Sequence, residues 1–193
     1  MTLSRKTVIR AAALGLAQHL LVLPSTAHTL PARRLLIERQ GTEALRLTYL
    51  VDPVETLRQL MAPGWTPEQF VQRMGTETAV GLERRLKPVR ATLEAQTRLV
   101  TPNANALTLA GWEWPAVQAW QQPITEAMLR LAEGSPMPDH FSPLAIRAHT
   151  TAPPQALRLQ ISVPAGLHPI LVVNGPSDQF WLTASLTTGF LDI

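Results

Sequence analysis

The chain of 193 residues contains no cysteine, so disulfides, thiolate metal sites and a cysteine nucleophile are all excluded. It has one tyrosine and four phenylalanines. Beyond residue 27 it has a single lysine, Lys87. No apolar run beyond that point approaches the roughly 18–20 residues of a membrane span. The longest, at 170–173, has the length of a strand. Several chemical signatures are also missing. There is no Gly-x-Ser-x-Gly elbow, no His-Glu-x-x-His, no EF-hand loop and no phosphate-cradling glycine loop. Ser135, Ser142 and Ser177 lie in loops, and nothing in the sequence links them to a histidine base as a hydrolase nucleophile requires.

What is present begins with the first 27 residues. Arg5, Lys6 and Arg10 precede an apolar stretch from Ala11 to Leu23. Pro24-Ser25-Thr26-Ala27 then places small residues where a signal peptidase cuts. The layout predicts a secretory signal peptide over 1–27, cleaved near Ala27, and a periplasmic or extracellular protein. An uncleaved N-terminal anchor is the alternative. The run Ser4 to Arg10 loosely resembles a twin-arginine export signal, with Lys6 standing where the second arginine would be.

Charge follows from the same segment. It holds three of the 17 basic residues and no acid, which leaves 14 bases against 14 acids in 28–193. The net charge of +3 therefore belongs to the leader, and no nucleic-acid partner is implied. The remaining ~166 residues suffice for one domain with its own core.

The periodicity predicts an α+β domain: an antiparallel β-sandwich-like fold of about eight strands, with two or three helices as insertions. Strands are expected at 33–39 and 44–51, where Leu45, Leu47, Tyr49 and Val51 alternate with mostly polar residues. Asp52-Pro53-Val54-Glu55 and Thr66-Pro67-Glu68-Gln69 are helix starts. They predict helical structure between 53 and 86. Val89, Ala91, Leu93, Ala95, Thr97 and Leu99 alternate with polar residues and predict a half-exposed strand, answered by a second at 107–114. A helix is expected within 115–133 and further strands at 144–149, 157–163, 170–173, 180–186 and 190–193. No repeat or linker divides the domain.

Two groups of residues could carry function. Cleavage after Ala27 would make His28 the N-terminus, and its amine and imidazole would offer two nitrogens from one residue. With a second histidine, that set suits Cu(II). The arrangement is similar to the N-terminal histidine site of lytic polysaccharide monooxygenases and of some periplasmic copper-resistance proteins, which also sit on antiparallel sandwiches. The resemblance implies copper as cofactor and one of His140, His149 or His168 as the second ligand. Asp139 could orient His140. The second group is aromatic. Trp112 and Trp114 share one face of a strand, and with Trp120 could form a flat carbohydrate or peptide surface, or core beneath a helix over 123–133. Glu113 lies between them on the opposite face. The basic cluster Arg84, Arg85, Lys87 and Arg90 reads as a solvated helix face.

No catalytic constellation emerges. The reading that follows is an exported, non-enzymatic binding or accessory protein, partnered by another envelope protein. Copper binding or trafficking through His28 is the second reading, and a carbohydrate-binding module the third.

Overall fold

A computed structural model describes residues 33–151, 158–175 and 178–192. Residues 1–27, including the expected leader, and His28 lie outside them.

Over the described residues the domain is α+β, with ten strands in two sheets and four helices. Strands β1 (Arg33–Gln40) and β2 (Ala44–Val51) form the expected hairpin, turning at Gly41 with φ +69°. The register pairs Leu35 with Tyr49 and Ile37 with Leu47, so the middle of one face of the hairpin is apolar and fully buried, with Arg33 and Arg39 at its two ends. Helix α1 (Pro53–Met61) starts where Asp52 accepts a hydrogen bond from the Glu55 amide at 2.9 Å. Helix α2 (Pro67–Met74) starts with a complete capping box between Thr66 and Gln69.

Helix α3 (Ala79–Gln96) replaces the strand expected at 89–99. Its buried residues are Leu82, Leu86, Val89 and Leu93, spaced four, three and four apart. Ala91 and Ala95 are exposed on it, and only Arg98–Val100 forms a strand, β3. Pro88 lies within the helix on its exposed side. The single strand expected at 107–114 is two: β4 (Ala106–Leu107) pairs with β3, and β5 (Ala110–Glu113) crosses to the other sheet.

Helix α4 (Val117–Ala132) lies within the expected span and continues through Pro123. It touches α1, α2 and α3 and buries Trp120, Ile124 and Ala127. Strands β6 (Leu144–Thr151), β7 (Arg158–Ser162), β8 (Ile170–Asn174), β9 (Asp178–Leu182) and β10 (Thr188–Asp192) complete the chain.

The six-stranded sheet runs β5-β6-β2-β1-β8-β9 and the four-stranded one β10-β7-β3-β4. The architecture is sandwich-like but not purely antiparallel. β8 lies parallel to β1, pairing Leu171 with Arg34 and Val172 with Leu35. The link between β7 and β8 carries the chain through a short 3-10 turn at Ala165–Leu167 packed on α1. Both sheets and all four helices contribute to one contiguous core. The sheets also meet where the Phe180 ring of β9 lies over Gly189 of β10. A β-carbon there would fall 2.0 Å from the ring, so only glycine admits this contact. Among the described residues no helix is long and apolar enough to cross a membrane.

Candidate functional site

The largest concavity relevant to the expected site residues opens where β2 ends and α1 begins. It has a volume of about 630 Å³. Its apolar wall includes Val54, Pro67, Leu131 and Met137, and the proline-containing loop 136–141 forms one side. Asp52, Glu55, Glu68, Asp139, Arg33 and His140 supply its charge and polarity.

Asp52 builds this cleft. One carboxylate oxygen caps α1, and the other accepts from the Phe141 amide at 2.8 Å. The residue is 4% exposed. A single buried carboxylate thereby ties the helix start to the loop 89 residues later.

Arg33 holds the opposite wall. Its guanidinium donates to the carbonyls of Gly166 and His168, at 3.2 and 3.3 Å, and to Glu55 at 3.2 Å. Glu55 also accepts from Arg58 and Gln59. Burial pushes the Glu55 pKa up, but those hydrogen bonds and the two arginines outweigh it and hold the carboxyl below its usual value. Asp52, Glu55 and Arg33 are thus engaged in architecture. Glu68, Asp139 and His140 stand exposed at the rim. The Glu68 carboxyl is held below its usual value by its own backbone amide and the Thr66 hydroxyl.

The structure separates the three candidate second histidines. His140 lines the cleft. His168 follows the 3-10 turn near Arg33, and both its ring nitrogens are covered with no hydrogen-bond partner. Burial, then the Arg33 charge, lowers its pKa. His149 lies at the other end of the sheet. It pairs with Arg46, which pairs with Glu38, five residues along β1 from Arg33. That is roughly 16 Å of strand. His149 lies over Gly111, whose φ of +58° and absent side chain make room for the ring. It shares a surface basin with Arg46, Arg147 and Glu113, two cations against one acid. Among the described residues no group of three or more His, Asp or Glu side chains is placed to hold a metal.

The tryptophans form a ladder into the core. Trp112 stacks on Trp114 at 6.3 Å between ring centres, and Trp114 leans on Trp120 at 6.5 Å. Trp120 is fully buried, while the outer two are half-buried and packed against the core. The Trp114 indole donates to Glu94 at 3.0 Å, and Arg90 lies 5.7 Å over its ring. Arg90 is in turn held by Glu83 at 2.6 Å, so the basic cluster of α3 is partly engaged in packing. Glu113 is exposed and reaches Arg147 at 3.9 Å.

The tryptophans that project furthest are Trp65 and Trp181, at 38% and 44% exposure. Sequence patterning passed over Trp65 because it stands in the Pro63-Gly64 break between two helices and belongs to no periodic face. Its signal is spacing from the cap that follows it: Gln69, Gln72 and Arg73 come four, seven and eight residues later.

The chain matches no protein-family model, and the curated proteins include no match to it.

Proposed function

We propose that this is an exported binding or accessory protein of the cell envelope, without catalysis of its own, and that its cleft holds an extended segment of a partner protein. The observation that carries the reading is the cleft itself. Its volume lies in the range of ligand sites, its walls are apolar, and its buried polar groups are already committed to one another. Such buried groups fix a shape. The exposed acids Glu68 and Asp139 at the rim favour a partner segment that sets an apolar side chain beside an arginine or lysine.

A displayed peptide library selected on the purified protein tests this. The expected outcome is a consensus with a basic residue next to an apolar one, lost with Leu131→Arg while the melting temperature holds. Absence of a consensus, or clones that bind the Leu131→Arg protein equally well, would reject the cleft as the site.

A copper reading is retained on one observation. Arg33 lines the cleft that contains His140, and His28 is only five residues before it. That length of chain reaches at most about 17 Å, enough to bring both histidines to the cleft. The acidic rim also favours a cation there. Cu(II) titration of protein with a native His28 amine should show tight binding, which one additional N-terminal residue or His140→Ala abolishes and His149→Ala does not. Equal binding by all four proteins would end this reading.

A further inference from the structure

We infer that Trp65 and the outer face of α2 form a saccharide-binding site selective for sugars that carry a carboxylate. The site is distinct from the cleft and from the Trp112–Trp114 pair. Trp65, Gln69, Gln72 and Arg73 line a depression of about 550 Å³. These four residues lie on one face of the helix and the turn before it, with spacings of four, seven and eight.

The chemistry of the lining is what selects the ligand. Trp65 presents a partly exposed aromatic face in a concave setting, and its backbone is anchored on both sides: Arg58 donates to the Trp65 carbonyl at 2.7 Å, and the Trp65 amide donates to the Ala62 carbonyl. An amphipathic ring on an anchored turn is suited to the apolar face of a pyranose. The two glutamines bring carboxamides, which can donate to one hydroxyl and accept from its neighbour. Gln69 already engages its carbonyl oxygen with the Thr66 amide, which leaves its NH₂ as the group available to donate. Gln72 is exposed.

Arg73 sets the charge preference. Its guanidinium lies 5.9 Å from the centre of the Trp65 ring. No acidic residue lines the depression, and Arg73 is not among the salt-bridged arginines of the described residues. An arginine beside a sugar-stacking ring offers a planar fork to a carboxylate on that sugar. A purely structural Trp–Arg pair would account for the contact between these two, and the capping box places Gln69, but neither accounts for the exposed Gln72 lining the same depression.

The test uses two oligosaccharides of equal length: the hyaluronan tetrasaccharide, which carries uronates, and chitotetraose, which is neutral. Heteronuclear NMR of the unaltered protein follows the five indole N–H signals. The expected result is a saturable shift of the Trp65 signal with hyaluronan tetrasaccharide, at an affinity about tenfold above that for chitotetraose. Arg73→Gln should remove the preference and Trp65→Ala should remove both interactions, with Trp181→Ala as the control for an exposed tryptophan elsewhere. No shift of the Trp65 signal with either sugar, or binding that survives Trp65→Ala, would overturn the site. Equal affinities for the two sugars in the unaltered protein would overturn the role of Arg73 and with it the carboxylate selectivity.

Discussion

The Tyr49 hydroxyl lies 2.9 Å from the Thr97 hydroxyl, both fully inside the protein, and the proton between them belongs to Tyr49. The direction follows from Thr97, whose only hydroxyl hydrogen is donated to the Leu93 carbonyl at 2.6 Å. Burial drives the Tyr49 pKa well above its ordinary value. In the unfolded chain the phenol ionises near pH ~10. The unfolded state thus loses its proton first. Tyr49 costs nothing below about pH 10, and above it destabilises the fold by about 1.4 kcal/mol per pH unit. The chain has a single tyrosine, so tyrosinate absorbance reports this group alone. Alkaline titration should show tyrosinate and loss of circular dichroism together. A reversible tyrosinate transition in folded protein would contradict the assignment. Tyr49→Phe should cost about 1 kcal/mol in urea unfolding and abolish this alkaline signal.

Asp52 performs two tasks with two oxygens, and its variants should separate them. Asp52→Ala removes the α1 cap and the Phe141 contact and should cost about 2–3 kcal/mol. Asp52→Asn keeps one acceptor and should fall between. Limited proteolysis should then cut at 136–141 faster in the order Ala, Asn, unaltered protein. An Asn variant as unstable and as protease-sensitive as the Ala variant would mean that charge, rather than the count of acceptors, holds the loop.

Gly111 is required twice over, by its positive φ and by the His149 ring where a β-carbon would stand. Gly111→Ala should cost about 2–3 kcal/mol, of which the backbone share is about 1–2 kcal/mol. Repeating the change in a His149→Ala background should leave only that backbone share. If the cost is unchanged there, the ring moves aside freely and the backbone alone sets the requirement.

His168 gives the opposite edge of the pH profile. Its pKa is lowered by burial and by the Arg33 charge, so protonation is easier in the unfolded chain. The neutral form stabilises the fold above the ordinary histidine pKa of about 6.5, and that contribution is lost as pH falls below it. Urea midpoints measured down through this range should fall, and His168→Gln should flatten the slope. An unchanged slope in the variant would place the acid sensitivity elsewhere.

The parts of the fold legible in sequence are those decided by local chemistry. Asp52-Pro53 and Thr66-Pro67 mark helix starts because capping needs only a side chain and its next three residues. Helix α3 was illegible because its stripe of Leu82, Leu86, Val89 and Leu93 is overlaid by a second pattern. Ala91 and Ala95 complete an alternation of twos but are too small to show which side they face. Pro88 reads as a stop, yet it sits on the exposed side, where water can take the freed Arg84 carbonyl. The parallel pairing of β1 with β8 involves residues about 137 apart and leaves no local mark. The same holds for the histidines: their types were readable, but only the sheet register shows that His149 and His168 lie at opposite ends of it. Trp112 and Trp114 do stack, but across the end of β5 and against the core rather than along one open strand.

The position of β1 between β2 and β8 sets an order of assembly. The first hairpin can close as soon as residue 51 is available, but one edge of β1 stays bare until Ile170–Asn174 arrives. Arg34, Leu35 and Leu36 then find their remaining strand partners. Until that point the chain is an open sheet with an apolar face, prone to pairing with other chains. Holding the nascent protein extended until its last third is made would be of direct benefit to it, and premature termination before residue 170 should yield aggregate rather than a smaller folded domain.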